Sequence, residues 1–297
     1  MSIFEETEST DDGIYKKLAT SSHPVAEETR IFLNSLWVTY EKYSDTNFKK
    51  EIRSDFYARY WEMYLTCVLL NRGFTLQCPK PGPDILTKNN PEVWIEAIAP
   101  NSGNPDLPDS VPPVKYGDVQ SHPSDQIILR YRAAIREKYD NKYCHYRRKG
   151  IISETDPYVI AVSSCKIQIA SLHPPVPEII KSVFPLGFQQ IHIGTKDGEV
   201  VGHDYQYRAE IKKECGSPVS TDIFLDPHFK HLSGVLYSSA TPANNHNLDG
   251  IEYMFVHNPN AVNKIPENYF NFGKEYIAKA SETHYELAET DHCQNGK

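Results

Sequence analysis

The stretch from Pro83 to Pro100 constrains the fold most, because two apolar runs flank a turn within it. The first run covers residues 85–87 and the second covers residues 93–99, in which Glu96 is the only acid. Between them lies Lys-Asn-Asn-Pro, where asparagine tolerates left-handed backbone angles and proline cannot continue a hydrogen-bonded ladder. Two apolar runs joined by such a turn predict a β-hairpin.

Two carboxylates meet at the open end of this predicted hairpin. Counting outward from the turn places Asp84 roughly opposite Ile95 and Glu96. Like charges held close in an apolar environment are unfavourable unless a cation lies between them. Hard divalent cations such as Mg²⁺ take such an oxygen pair, with water and substrate phosphate as further ligands. The pair therefore indicates a metal site, and the alternative is a solvated hairpin end with two unrelated acids.

A third acid lies on the helix that precedes the hairpin. Apolar spacing predicts a helix from about Phe48 to Arg72 that stops at Gly73, a residue typical of helix C-termini. The second half of this helix is apolar almost all round, which is typical of a buried helix. Glu62 is the only acid in that half, and a buried carboxylate needs a partner or a metal. The alternative is that Glu62 pairs with Arg59 or Arg72, or lies on an exposed edge.

Residues 48–165 resemble the PD-(D/E)xK nuclease superfamily, whose members have the restriction-endonuclease-like fold. The family pattern is an acid on the first core helix, an aspartate opening a strand, and (D/E)-x-K on the next strand. Carried over residue by residue, the pattern falls on Glu62, Asp84 and Glu96, and Pro83 before Asp84 matches it literally. The resemblance implies that Asp84 and Glu96 hold Mg²⁺ or Mn²⁺ and that Glu62 ligates the metal directly or through water. The implied activity is hydrolysis of phosphodiester bonds in DNA or RNA.

The match departs at the motif lysine, which is Ile98 here. In the family this lysine stabilises or activates the attacking water, and some members supply it from a nearby helix. The helix predicted from Gln126 to about Tyr139 offers Gln126, Arg130 and Lys138. One helix cannot aim both ends at one metal, and an amide and a guanidinium one turn apart can grip water and phosphate together. This favours Gln126 with Arg130 over Lys138. The alternative is a catalytically inactive nuclease-fold protein that binds nucleic acid or another protein.

Basic and aromatic residues concentrate around this helix and the segment after it. Phosphate binding needs such a patch, because the net charge of the whole chain is -8 and draws in no polyanion. The alternative for any one of these residues is a solvated helix end. The candidate substrate-binding residues are Arg132, Arg136, Lys142, Arg147 and Arg148.

A long segment rich in proline, glycine and aspartate, residues 101–122, follows the strand that carries Glu96. Loops of this length within a domain are usually functional or disordered. The segment is therefore either a lid or substrate-contact loop, or mobile surface filler.

The predicted fold class is α/β (α+β), with a mixed central β-sheet flanked by helices. The resemblance implies a restriction-endonuclease-like core with an elaborated C-terminal half. Residues 158–163 form an unbroken apolar run, which is typical of a central strand. Three ranges describe the predicted domain organisation: a flexible lead-in (1–24), a single nuclease-like domain (25–280, with its core at about 48–165) and a tail (281–297).

The 297-residue chain contains no apolar run of membrane-spanning length and no signal-peptide pattern near its first residue. Its six cysteines form no Cys-x-x-Cys pair, which favours free thiols in a reducing compartment and a cytoplasmic location. A homodimer or a protein partner stays open at this point.

Overall fold

The computed structural model describes residues 2–4, 10–115, 117–171, 175–280 and 285–293. Its main element is a mixed eight-stranded sheet with the order β1-β2-β3-β4-β9-β10-β11-β12, and two two-stranded ribbons, β5-β6 and β7-β8, accompany it. The strand bounds are β1 (Leu76–Gln77), β2 (Ile85–Thr87), β3 (Val93–Ile98), β4 (Tyr158–Ser163), β5 (Leu186–Ile193), β6 (Val200–Tyr207), β7 (Glu210–Lys212), β8 (Pro218–Ser220), β9 (Gly234–Ser238), β10 (Tyr253–His257), β11 (Lys274–Ala280) and β12 (Tyr285–Asp291).

Seven α-helices and several short helical turns accompany these strands in the described parts of the chain. The α-helices are α1 (Gly13–Thr20), α2 (Pro24–Tyr40), α3 (Phe48–Glu51), α4 (Phe56–Asn71), α5 (Ser124–Glu137), α6 (Cys144–Arg148) and α7 (Glu178–Lys181). A π-helical turn (Lys138–Tyr143) joins α5 to α6. The 3-10 turns are Glu41–Tyr43, Gln168–Ser171, Ile223–Leu225 and Pro227–Phe229.

The sheet begins with an antiparallel meander of β1, β2 and β3. Strand β4 then lies parallel to β3, with α5 in the connection between them, and β9 lies parallel to β4. Because β3 and β4 run the same way, the connecting helix has to return along the sheet against the strand direction. The predicted mixed central sheet flanked by helices is confirmed.

Alternate residues of β3 enter two different apolar layers. Val93, Ile95 and Ala97 pack in the layer that contains α2 and α4, whereas Trp94 packs in the layer that contains α5 and α7. Strand side chains alternate between faces, so Glu96 shares the α5 face with Trp94. Glu62 comes from α4, on the opposite face.

The helix predicted over residues 48–72 is divided into α3 and α4. The Asp55 side chain caps α4 by accepting from the Ala58 backbone N–H at 3.3 Å, and this cap interrupts the helical hydrogen bonds. Gly73 ends the helix region with a φ of 84°, as predicted.

The predicted flexible lead-in (1–24) and tail (281–297) need correction, because both contain regular structure. Helix α1 lies within the lead-in and buries Tyr15 in the core. Strand β12 lies within the predicted tail and pairs with β11 along its whole length. Residues 1, 5–9, 281–284 and 294–297 lie outside the described residues.

Across the described parts of the chain, no helix is both long and apolar enough to cross a membrane.

The attachment of α1 to the core can be tested at Asp12. Its Oδ1 accepts from the N–H groups of Ile14 and Tyr15, and its Oδ2 accepts from the N–H of Phe56 at 3.0 Å. Asp12→Ala should therefore lower the free energy of unfolding in urea by about 1–2 kcal/mol. Asp11→Ala removes a neighbouring exposed carboxylate and serves as the control. Equal stabilities of the two variants would mean that α1 does not dock as described.

Candidate functional site

The predicted hairpin is confirmed, and its register brings Asp84 opposite Glu96. Ile85 pairs with Ile95, so one further step beyond the start of β2 sets Asp84 across from Glu96. The Ala97 N–H donates to Asp84 Oδ2 at 2.7 Å, which fixes the aspartate against β3. The two carboxylates therefore lie at the same end of neighbouring strands.

Glu96 is almost fully buried, with 3% of its side chain exposed. Its Oε1 accepts from Nζ of Lys138 at 2.7 Å. Its Oε2 is buried and accepts no hydrogen bond. A buried carboxylate oxygen without a partner is unfavourable, and most such atoms in folded proteins have one.

Glu62 on α4 is paired with Arg59, which is one of the alternatives to a metal ligand that the sequence left open. Arg59 Nη1 donates to both carboxylate oxygens at 2.9 and 2.7 Å, and Arg59 Nη2 lies 3.0 Å from Glu51. The charge of Asp84 nevertheless acts on Glu62, and that of Lys138 does so more weakly. Glu62 therefore lies near the hairpin acids while it is paired with an arginine.

Asp84 raises the pKa of both neighbouring glutamates. Burial and then the Asp84 charge raise the pKa of Glu62 to about 8, although Arg59 opposes the shift. Burial and then Asp84 likewise raise the pKa of Glu96 to about 7, although Lys138 opposes it. We define Glu62, Asp84, Glu96 and Lys138 as the acid cluster. Burial and the charge of Asp84 therefore outweigh the stabilisation that the nearby cations give to the ionised glutamates.

Lys138 stays charged in this environment. Burial acts to lower the pKa of Lys138, but Glu96 and Asp84 outweigh burial and raise it. The side chain is therefore an ammonium at neutral pH, with three hydrogen-bond donors of which Glu96 takes one.

Two further side chains after Lys138 reach the same acid at a spacing of four residues. The charge of Lys142 favours the ionised form of Glu96. Burial, followed by the charges of Glu96 and Asp84, raises the pKa of Tyr146 above its usual range. Lys138 begins the π-helical turn, and π-helical turns inside helices are frequent at functional sites. Tyr146 was not among the predicted site residues, although it belongs to the basic and aromatic segment.

Lys80 is another residue that the sequence did not indicate. Its charge favours the ionised form of Glu62 on α4. Glu62 also acts on Tyr40 of α2, because burial and then Glu62 raise the pKa of Tyr40 above the usual range. The signal for Lys80 was its position four residues before Asp84, within the proline-rich approach to the hairpin.

Of the three candidates for the missing motif lysine, Lys138 contacts Glu96, whereas the preferred pair Gln126 and Arg130 has other neighbours. Arg130 donates from Nε to the Asn101 carbonyl and from Nη2 to Asn101 Oδ1, both at 2.8 Å. Gln126 lines a separate cavity with Asp125. The N-terminal end of α5 is directed elsewhere, and Lys138 at the other end reaches Glu96.

The predicted substrate-binding residues make separate contacts. Arg147 donates to the Ile152 carbonyl at 2.7 Å, and Arg148 donates to the Cys144 carbonyl at 3.3 Å. Arg132 and Arg136 line a cavity that contains no residue of the acid cluster. Of the predicted set, Lys142 lies close enough to Glu96 for its charge to favour the ionised carboxylate.

Two of the three acids, Asp84 and Glu96, are suitable ligands for a hard cation. Within residues 2–4, 10–115, 117–171, 175–280 and 285–293, no three His, Cys, Asp or Glu side chains are placed to hold one metal ion. Asp84 and Glu96 still offer paired carboxylates, and Glu96 Oε2 is a buried acceptor without a partner. Mg²⁺ is commonly bound by one or two carboxylates, with water completing its shell. Glu62 would first have to leave Arg59 to ligate it directly.

The raised pKa of Glu96 predicts how stability depends on pH in metal-free protein. The folded state binds the proton more tightly than the unfolded state, so the stabilising contribution is complete below about pH 4.5 and is lost as pH rises through about 7. Glu96→Gln does not titrate there. Its free energy of unfolding should therefore rise relative to the unsubstituted protein across this interval, by up to about 1.4 kcal/mol per pH unit.

Urea unfolding at several pH values in a chelator measures this difference. Glu92→Gln, which removes an exposed acid from the same hairpin, is the control. A stability difference that stays constant from pH 4.5 to 7 would contradict the raised pKa of Glu96.

No family model, curated protein or solved structure matches the chain.

Proposed function

We propose that the chain is a metal-dependent nuclease that hydrolyses phosphodiester bonds of DNA or RNA. One observation carries the proposal: Lys138 lies 2.7 Å from Glu96 and supplies the cation that Ile98 cannot supply. A lysine beside the second motif acid is the group that the resemblance requires, and here it comes from the end of the following helix.

The order of the elements supports a restriction-endonuclease-like core for the same region. Glu62 lies on a buried helix, Asp84 opens the first hairpin strand, and Glu96 lies on the second. Helix α5 and the parallel strand β4 follow, and the start of the π-helical turn returns Lys138 to Glu96. The acids thus follow the sequence order of the family pattern and also meet electrostatically at Asp84.

Asp84 and Glu96 would hold Mg²⁺ or Mn²⁺ in this proposal. When bound, the metal lowers the pKa of a coordinated water and offsets the negative charge that develops on the phosphate. The Ala97 N–H keeps Asp84 oriented, and Lys138 keeps Glu96 oriented through Oε1 while Oε2 stays free to ligate. Glu62 and Arg59 form a charge pair beside the site that can reach the metal through water.

Lys138 acts as a hydrogen-bond donor in this proposal, and its charge excludes a role as a base. Its raised pKa keeps the ammonium protonated at neutral pH. One N–H is directed to Glu96, so the remaining two can donate to a phosphate oxygen or to the attacking water. A protonated lysine stabilises charge that develops on the phosphate, which is a large contribution to phosphoryl-transfer catalysis.

A second candidate function is a non-catalytic nuclease-fold module that binds nucleic acid or a protein. It is favoured by one observation: each of the three acids already has a protein partner, namely Arg59, the Ala97 N–H or Lys138. Such a protein would need no metal, because its own cations offset part of the cluster's charge. Cleavage assays and metal-binding assays distinguish the two functions.

The nuclease proposal predicts that Lys138 controls the rate. Purified protein with Mg²⁺ or Mn²⁺ should cut single- or double-stranded DNA or RNA, and Lys138→Ala should lower the rate by at least about a hundredfold. Lys149→Ala, at an exposed lysine beyond the π-helical turn, should leave the rate unchanged. Gel analysis of end-labelled substrates measures both rates. Metal binding without cleavage of any of these substrates would favour the binding module.

Removal of the Asp84 charge should have opposite effects with and without metal. Asp84→Asn keeps an oxygen that can accept from Ala97 N–H but removes the charge that raises the pKa of Glu62 and Glu96. In a chelator at pH 8, its melting temperature should therefore rise by roughly 2 °C or more. Adding Mn²⁺ should raise the melting temperature of the unsubstituted protein and leave that of Asp84→Asn unchanged.

Differential scanning calorimetry measures these shifts. A large loss of stability of Asp84→Asn in the chelator would show that the carboxylate is a structural acceptor. An equal Mn²⁺ response in both proteins would show that Asp84 does not hold the metal.

A further inference from the structure

A cavity of about 700 Å³ lies beside α5, apart from the acid cluster. Four basic side chains line it, and we name it the arginine cavity after them: Arg130, Arg132, Arg136 and Lys213. Its other walls come from the loop after β3, which contributes residues 103–104, and from β8. No residue of the acid cluster lines it.

Arg132 is the unusual residue of the arginine cavity. It is 7% exposed, yet its guanidinium makes no hydrogen bond or ion pair with any described residue. Its Nε is fully buried without a partner. An unpaired buried charge is strongly unfavourable, and a guanidinium is satisfied best by an anion that accepts two parallel hydrogen bonds.

The acids that line the arginine cavity are each engaged with another group. Asp140 accepts from Nε of Arg136 at 3.2 Å and lies 2.6 Å from Nε2 of His228. Asp109 accepts from the backbone N–H of Glu214 at 2.9 Å. Glu137 accepts from Asn141 at 3.4 Å. None of these acids forms an ion pair with Arg132.

Burial and a neighbouring arginine both disfavour the charge of Arg132. Burial and then the charge of Arg136 lower the pKa of Arg132, and the charges of Asp222, Asp226 and Asp140 offset only part of this. Nζ of Lys213, at the cavity wall, forms no hydrogen bond within the described residues. An anion in the cavity would neutralise a buried charge that the protein leaves unpaired.

We propose that the arginine cavity binds a phosphate group of a nucleotide-sized ligand. The planar guanidinium matches phosphate oxygens in pairs, and the cavity has the size of ordinary small-molecule sites, about 300–1,000 Å³. The phosphate belongs either to a free nucleotide or to a nucleotide within a strand.

A strand of nucleic acid would connect the arginine cavity to the acid cluster. Arg130 is bonded to Asn101, which follows Glu96 by five residues and lies at most about 18 Å from it along the chain. The strand source therefore rests on the proposed nuclease function, whereas binding of the phosphate group itself does not.

Isothermal titration calorimetry in a chelator, without divalent metal, tests the proposal with two probes: ATP and a short 5′-phosphorylated single-stranded oligonucleotide. At least one should bind the unsubstituted protein, with an affinity that falls as salt rises. Arg132→Gln should weaken that binding at least tenfold. Arg132→Lys, which keeps the charge but loses the paired donors, should weaken it less. Lys16→Gln, at an exposed lysine of α1, should have no effect.

A stability measurement separates binding from folding. Because Arg132 is unpaired without a ligand, Arg132→Gln should leave the unfolding midpoint in urea unchanged or raise it. The binding probe should raise the midpoint of the unsubstituted protein and not that of the variant. A variant that unfolds more readily and still binds the probe would identify Arg132 as a structural residue and overturn the proposal.

The remaining outcomes are equally decisive. Failure of both probes to bind the unsubstituted protein overturns the proposal, as does equal affinity in Arg132→Gln. Tighter binding of ATP identifies a free nucleotide as the source, and tighter binding of the oligonucleotide identifies a strand. Phosphate binding is measured in a chelator and cleavage with Mg²⁺ or Mn²⁺, so loss of phosphate binding and loss of cleavage are distinguished.

Discussion

The repulsion between Asp84 and Glu96 is the interaction on which the rest of the site depends. The Ala97 N–H holds Asp84 against β3, and the pairing of β2 with β3 fixes Glu96 across from it. The hairpin therefore fixes the backbone positions of both acids. Cations on opposite faces of the sheet pair with the two glutamates. Arg59 pairs with Glu62 on the α4 side, and Lys138 pairs with Glu96 on the α5 side. Both glutamates still have raised pKa values because of burial and Asp84, so a further cation would favour their ionised forms.

The parts of the fold that local pattern determines could be predicted from the sequence. The hairpin of β2 and β3 follows from two apolar runs and a turn, and its register places the acids as expected. The central strand β4 matches the predicted range 158–163. Local sequence pattern did not predict structure that depends on a single side chain or on a partner distant in the sequence. The cap at Asp55 divides the predicted helix 48–72, and the pairing of β12 with β11 depends on contacts that the segment's own sequence does not specify.

The choice between Lys138 and the Gln126–Arg130 pair could have been made from topology. Helix α5 connects two parallel strands, so its carboxyl end returns toward the start of β4. There the Tyr143 ring packs at a tilt against Tyr158, with ring centroids 4.9 Å apart. Hydrogen-bonding power favoured the amide and guanidinium, but the direction of the helix decides which side chains can reach Glu96. The π-helical turn that begins at Lys138 has no evident sequence signal. Topology could thus have predicted that Lys138 reaches Glu96, but no sequence signal predicts that Tyr146 lies near the same acid.

A second buried glutamate in the same chain shows what a structural carboxylate looks like here. Glu275 is 2% exposed, about as buried as Glu96, but both of its oxygens are satisfied. Oε1 lies 2.6 Å from His257 and accepts from the Asn268 N–H at 3.0 Å, and Oε2 lies 3.2 Å from His292. Although burial alone would raise it, these contacts hold the pKa of Glu275 below its usual range. Glu96 differs, because Lys138 is its ion-pair partner, its buried Oε2 accepts no hydrogen bond of good geometry, and its pKa is raised. Unlike Glu275, Glu96 combines an open buried oxygen with a neighbouring carboxylate at Asp84, and this combination supports the proposed metal site.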